Sequence, residues 1–221
     1  METLQKTLNY RFRDPSLLRT ALTHSSYANE HRVESNERLE FVGDSVLGFV
    51  VADRLYRSAP ALPEGRMTRI RAELVCEQSL WAVSEQLGLG ALLRLGRGEE
   101  LTGGRSRPSI LADCVEALIA ALYLDGGLAP ARALIERYIL SRLDRDGTAT
   151  AQDSKTDLQE LVQRSPGRGI VYTLTGERGP DHDKRFTVSV SVGGVVAGTG
   201  EGRTKKEAEQ MAARAALETL L

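Results

Sequence analysis

Apolar residues recur every third or fourth position through 39–55, 67–87, 110–124 and 130–143, the period of a helix with one buried face. Breaks fall at Asp14-Pro15, in the proline-containing stretch 59–63 and at Gly126-Gly127. The chain up to about residue 145 is therefore predicted to be nearly all helix. Residues 144–153 are polar, lack large apolar groups and read as a linker. Beyond them the period changes. A short helix over 155–164 precedes runs at 171–175 and 186–192 that alternate every second residue, a third strand at 195–199 and an Ala-rich amphipathic helix over 204–221. The prediction is a two-domain chain: an all-α domain over 1–145, a linker over 146–153, and a small α+β domain over 154–221. In the second domain both helices cover one face of an antiparallel sheet.

Composition changes this picture little. Of 221 residues, 41% are hydrophobic, which suits ordinary globular cores, and the formal net charge is −1. Neither part is basic as a whole: 19 Lys+Arg stand against 20 Asp+Glu up to residue 146, and 10 against 10 after it. Any nucleic-acid surface must then be a local patch. Cys76 and Cys114 lie in apolar helical contexts without metal-ligand spacing and are predicted to be buried free thiols. With no signal peptide and no apolar run of membrane-spanning length, a soluble cytoplasmic protein without membrane contact is expected. Trp81 falls on an apolar helical face and reads as core, and His31 as a surface residue.

Chemistry enters with the acids. The run Asn36-Glu37-Arg38-Leu39-Glu40-Phe41-Val42-Gly43-Asp44-Ser45-Val46-Leu47 sets Glu40 and Asp44 within about 40° of each other on one helical face. Glu37 lies about 60° from Glu40, on the side away from Asp44. The run Ile110–Leu124 carries only two charges, Asp113 and Glu116, at i, i+3 among apolar neighbours, with no Lys or Arg to neutralise them. Buried carboxylates that close need a positive partner. Two such faces, without His or Cys ligands nearby, suit a hard cation held by oxygen, Mg²⁺ or Mn²⁺, with no organic cofactor. A further loop, 96–108, is rich in Gly and Arg but lacks the Gly-Lys-Ser/Thr ending of a phosphate-binding P-loop. Arg97, Arg105 and Arg107 either touch nucleic-acid phosphates from it or are simply solvated. His24-Ser25-Ser26 marks a helix end or a phosphate contact rather than a nucleophile–base pair.

These residues carry a family resemblance. The run from Asn36 to Leu47, the block from Ile110 to Asp125, Asp14-Pro15-Ser16-Leu17-Leu18 and Ala21-Leu22-Thr23-His24-Ser25-Ser26-Tyr27 together resemble bacterial ribonuclease III, the Mg²⁺-dependent endonuclease of double-stranded RNA. The resemblance spans nearly the whole chain and departs from the signature in having Val42 where Leu is common. It implies an all-α ribonuclease III endonuclease domain and hydrolysis that leaves 5′-phosphate and 3′-hydroxyl ends. Ribosomal RNA precursors, structured messengers and transfer-RNA precursors are the implied substrates. Glu40, Asp44, Asp113 and Glu116 become the metal cluster, with Asp44 and Glu116 as catalytic groups. Glu37, Glu64 and Asn36 become auxiliary residues, Asn36 near the scissile bond; a helix-start acid accounts for Glu64 equally well. A homodimer is also implied, since two symmetry-related sites are needed to cut two strands. Phe41 is then an interface anchor, with an ordinary core aromatic as the competing reading.

The order helix, three strands, helix, ending in Gly200-Glu201-Gly202-Arg203-Thr204-Lys205-Lys206-Glu207-Ala208, resembles the double-stranded-RNA-binding domain. Lys205 and Lys206 stand in the first turn of the last helix, where cations are misplaced unless an anion binds. A-form RNA offers phosphates and 2′-hydroxyls there. The resemblance adds Arg203, Thr156, Gln159, Glu160, Gln163 and, from the Gly179–His182 loop, His182. Two other readings compete: a catalytically silent binder of double-stranded RNA, and a carboxylate-metal enzyme acting on a small phosphorylated molecule. Intact acids at 40, 44, 113 and 116 oppose the first, and the C-terminal pattern opposes the second.

Overall fold

A computed structural model describes residues 1–58, 62–141, 143, 154–163, 169–180 and 184–220, in two compact units, Met1–Arg145 and Asp146–Leu221. The expected linker 146–153 and His182 lie outside the described residues.

The first unit is helical: α1 (Glu2–Leu8), α2 (Pro15–Ala21), α3 (Ser25–His31), α4 (Glu37–Tyr56), α5 (Glu64–Val75), α6 (Glu77–Leu87), α7 (Arg97–Leu101), α8 (Pro108–Gly126) and α9 (Leu128–Ile135), which runs on into a π-helical turn, Glu136–Leu140. The local chemistry explains the ends. Asp14 accepts a hydrogen bond from the Ser16 N–H and Pro15 opens α2, a proline position that wastes no backbone donor. Pro108 opens α8 in the same way, and Gly127, at φ 78°, closes it. The continuous helical period through 67–87 is in fact two helices. Cys76 is extended (φ −68°, ψ 156°) between α5 and α6, so the chain turns there without losing the apolar rhythm. That corner leaves Cys76 exposed, contrary to the expected burial, while Cys114 is buried as predicted. Trp81 is only half-buried, on the rim of the core.

α8 is the axis of this unit. From Ile110 to Leu122 every residue except Asp113 and Glu116 is buried, Ala117, Ala120 and Ala121 completely. α4 packs along it, with Gly43 against Glu116, and buries Leu39, Val46, Leu47 and Val50. The last turn of α8 is tied to the N-terminal segment by Asp125, whose carboxylate accepts hydrogen bonds from the Tyr10 hydroxyl (2.7 Å), the Arg13 N–H (2.9 Å) and the Asp14 N–H (2.8 Å).

The second unit contains α10 (Ser154–Gln163), β1 (Ile170–Arg178), β2 (Arg185–Val192), β3 (Val195–Gly202) and α11 (Lys205–Leu220). The sheet is antiparallel in the order β1-β2-β3, as the sequence predicts. Leu158 and Val162 of α10 and Ala208, Ala212, Ala213 and Ala216 of α11 pack on Val188, Val190 and Val192 of β2. Side chains at Gly198, Gly200 and Gly202 would collide with the backbone of α11, so alternate glycines on β3 facing an alanine stripe set the helix–sheet distance. α10 and α11 are joined by Lys155, whose Nζ donates to Glu209 Oε2 (2.6 Å) and lies over the Tyr172 ring.

Candidate active site and RNA-binding surface

Three of the four predicted acids converge. Carboxylate oxygens of Glu40, Asp113 and Glu116 lie within 4.8 Å of one another, half-buried where α4 crosses α8. Asp44 is exposed and stands outside this close group, one turn along α4, although its charge still reaches Glu116. The electrostatics are those of an acid cluster short of positive charge. Burial, then Asp44, Asp113 and Glu40, push the Glu116 carboxyl up to about 8. Glu40 is raised by burial, then by Asp113, Glu37 and Asp44. Asp113 is raised by burial and by Glu77, with His24 pulling the other way. Each carboxyl is therefore shifted upward, a bias that a bound cation would oppose, and a donor set of oxygens alone is what a hard divalent ion prefers. The residues present fit a metal ion.

Gly43, which the acid spacing does not single out, makes this arrangement possible. A Cβ there would overlap the carbonyl group of Glu116, so the two helices touch backbone to backbone at the site itself. One turn before, Glu40 points from α4 to the same place. The signal for Gly43 in the sequence is a glycine inside a helical run. Gly48 in the same helix gives the same signal and its missing side chain would meet nothing, so only the packing singles out Gly43.

Other predicted residues fall elsewhere. Asn36 is 2% exposed and its N–H donates to the Thr23 carbonyl (2.8 Å). Against the expected RNA contact, the side chain is buried with its Nδ2 unpartnered and has no open face for substrate. Glu37 is exposed and accepts from the Ser35 hydroxyl (2.8 Å). Glu64 heads α5 and accepts from the Thr68 hydroxyl (2.9 Å), the helix-start arrangement. His24 caps the start of α3, its Nδ1 accepting from the Ser26 N–H, while Ser26 Oγ accepts from the Gly96 N–H (2.9 Å). Ser26 thereby joins the start of α3 to the arginine-containing segment 96–107.

That segment is not a plain loop: it holds α7 and a 3₁₀ turn, Gly104–Ser106. Arg105 donates to the carbonyls of Gly90 and Leu93 (2.8 Å each) and, in a fork, to both oxygens of Glu100 (2.6 Å each). Arg107 pairs with Glu99. Both expected phosphate contacts are therefore engaged within the fold. Arg97 is exposed, and its N–H donates to Glu30 Oε1 (2.9 Å).

In the second unit Arg203, Lys205 and Lys206 are exposed at the start of α11, where Thr204 Oγ1 accepts from the Glu207 N–H and Glu207 Oε2 accepts from the Arg203 N–H. Gln159, Glu160 and Gln163 are exposed on α10, and Thr156 partly so. The Lys155 N–H donates to Gln210 Oε1, which brings the start of α10 beside the second turn of α11. An exposed polar helix face and a cationic helix start thus lie on neighbouring elements.

On the α4 surface, Phe41, Phe49 and Tyr56 are 77%, 57% and 78% exposed, which excludes the core reading of Phe41. At 100° per residue the three fall within about 80° of arc. Beside Phe41 lies a cavity of about 590 Å³ lined by Leu17, Leu39, Val42 and Leu124 among others.

Known proteins match both units. Residues 14–143 match the Ribonuclease-III-like family and residues 154–220 the double-stranded RNA binding motif. Ribonuclease 3 of Listeria monocytogenes is 48% identical over 222 residues, 99% of this chain and 97% of that protein. Ribonuclease 3 of Pelotomaculum thermopropionicum is 50% identical over 218 residues, covering 97% and 90%. Among solved structures, a nuclease domain of ribonuclease III from Campylobacter jejuni superposes with a TM-score of 0.60 at 39% identity, over 63% of this chain and 96% of that one. With an acid cluster between its two longest helices and an RNA-binding module after them, the chain belongs to the ribonuclease III family of double-stranded-RNA endoribonucleases.

Proposed function

We propose that the chain hydrolyses phosphodiester bonds in double-stranded RNA at the Glu40–Asp113–Glu116 cluster, with Asp44 completing the site when metal and substrate are present. The carrying observation is the convergence of three carboxylate oxygens within 4.8 Å at the α4–α8 crossing. Glu40, Asp113 and Glu116 would hold Mg²⁺, or Mn²⁺ in its place, with Glu116 and Asp44 as the catalytic groups. A bound divalent ion supplies activation of a water molecule and neutralisation of charge on the phosphate. Glu37, exposed beside the half-buried carboxylates, orients ligands or RNA. Glu64 has an auxiliary part from the start of α5. The products carry 5′-phosphate and 3′-hydroxyl ends, and the work is cytoplasmic processing of ribosomal, messenger and transfer RNA precursors.

The catalytic unit spans 1–145, followed by a linker over 146–153 and the RNA-binding unit over 154–221. Thr156, Gln159, Glu160 and Gln163 face a minor groove, His182 the next one, and Arg203, Lys205 and Lys206 the phosphates between them. Arg97 adds a phosphate contact in the first unit.

A duplex has two strands, so the working form is a C2 homodimer. The C. jejuni nuclease domain has a region involved in dimer formation, and here the aromatic stripe on α4 supports the same assembly. Burying a Phe side chain contributes roughly 1.5–3 kcal/mol, so Phe41→Asp should shift the dimer towards monomer in sedimentation velocity. It should also turn double-strand cuts into scattered nicks or no cuts. An unchanged sedimentation profile would remove Phe41 from the interface.

The activity itself is tested with end-labelled duplex and single-stranded RNA in Mg²⁺, Mn²⁺ and Ca²⁺. Cutting of the duplex alone, in Mg²⁺ or Mn²⁺ alone, is the expected result. Retention of the duplex without cutting in every ion would select a silent binder instead.

A further inference from the structure

α3 carries an aromatic column that the reaction as derived does not use. The Arg94 guanidinium lies 4.2 Å from the Tyr27 ring centroid, and the His31 ring stacks on Tyr27 with centroids 3.9 Å apart and planes 27° apart. Two groups that close to one ring cannot share a face, so the order is Arg94, Tyr27, His31. The inner end is fixed: Arg94 Nη1 donates to Thr23 Oγ1, its N–H donates to the Leu22 carbonyl, and its carbonyl accepts from the His24 N–H. The outer end is open, because His31 is exposed at the last position of α3.

Two observations say what the open ring faces. α3, capped by His24, spans Ser25–His31, so His31 stands about 10 Å along the helix axis from His24, whose charge reaches Asp113. Two arginines also lie beside the ring, together with the Glu30 carboxylate next to it in the chain. Arg32 follows it, exposed and in the left-handed conformation (φ 54°) that turns the chain off the helix. Arg97 is exposed on the segment pinned by its N–H to Glu30, the residue before His31. An aromatic face braced from behind and flanked by arginines is the chemistry that receives a nucleobase on a phosphate backbone.

We propose that His31 is a stacking platform for an unpaired nucleobase of the RNA substrate, which makes it a specificity-determining residue. The proposal rests on the double-stranded-RNA reading above. Bases inside a continuous duplex are already stacked on one another, so only a bulged or unpaired base can leave the helix to reach the ring. The consequence is a preference for duplexes that carry such a base close to a cut.

The test uses the full-length protein and two duplexes that differ by a single bulged 2-aminopurine placed a few nucleotides from the cleavage site. Binding is read without divalent metal, and base stacking is read as quenching of the 2-aminopurine. Wild type should quench the probe and bind the bulged duplex more tightly than the paired one. His31→Ala should lose the quenching and cut the bulged-to-paired preference by about fivefold, the lower end of what stacking one base confers. His31→Phe should restore both, and His31→Lys, which keeps a cation without a ring, should not. Rescue by Lys, or equal losses on both duplexes, would show a charge or folding effect and overturn the platform. Wild-type protein that binds the paired duplex but neither quenches nor prefers the bulge would overturn it as well. Failure to bind either duplex would overturn the RNA reading on which it rests.

Discussion

Glu116→Gln should abolish cleavage while leaving duplex binding in place. The loss should be about a thousandfold or more, the rate equivalent of roughly 4 kcal/mol of transition-state stabilisation. Glu116 is the most perturbed acid of the cluster, with its carboxyl pushed up to about 8, so it is the group whose ionisation depends most on a cation. The RNA-binding helices lie in the other unit and should be untouched, so affinity measured by gel retardation in Ca²⁺ should stay within about twofold. Lost affinity with retained turnover would contradict the assignment.

The same substitution has a thermodynamic signature. An unfolded Glu titrates near 4.5, whereas folded Glu116 holds its proton up to about pH 8. The folded state binds the proton more tightly, so the stability it confers is complete below about pH 4.5 and is lost as the pH rises through about 8. Without metal, wild type should therefore melt progressively lower across that window. Gln cannot ionise, so the variant should lack this part of the slope and be the more stable protein at the alkaline end. Mg²⁺ should raise the melting temperature of wild type more near pH 8 than near pH 6, where a proton must first leave, and should stabilise the variant much less. Thermal scans with chelator and with Mg²⁺ at three pH values check all of this; parallel curves for the two proteins would refute it.

Gly43→Ala is the second large effect. The new methyl group would overlap the Glu116 carbonyl, and backbone cannot rotate aside as a side chain can. α4 and α8 must separate. Overpacking of a tight core costs typically 1–3 kcal/mol and more where backbone has to shift, so melting of the first unit should fall by about 10 °C. The separation also moves Glu40 from Asp113 and Glu116. Misplacement by about 1 Å costs roughly a hundredfold in rate. Because the damage is to geometry and not to charge, activity should fall even at temperatures where circular dichroism reports a folded helical unit. Wild-type melting together with wild-type cleavage would refute the contact.

How far the sequence alone reaches can be judged residue by residue. The apolar period located α4 and α8, and acid spacing placed Glu40, Asp113 and Glu116 on the right faces, because helix geometry converts intervals of three and four directly into direction. It also separated the helical unit from the sheet unit, where the period changes from 3.6 to 2. It could not reveal the corner at Cys76: two helices meeting there bury the same kind of stripe as one continuous helix, so the rhythm passes through unbroken. Arg105 and Arg107 illustrate a second limit. An arginine-rich segment reads the same whether its guanidinium groups point at phosphates or at Glu99, Glu100 and two carbonyls, since partners lie at distances along the chain that composition does not encode.

The sequence by itself thus determined the two-unit plan, the order of elements in the second unit and the helical faces that carry the acids, all properties carried by local periodicity. Only the tertiary structure decided that Glu40, Asp113 and Glu116 share one place while Asp44 stands outside it, that Asn36 is buried, and that Phe41 is bare. The physical reason is the helix crossing: its distance is set where Gly43 meets the Glu116 backbone, a contact between residues far apart in the chain that no interval along either helix records.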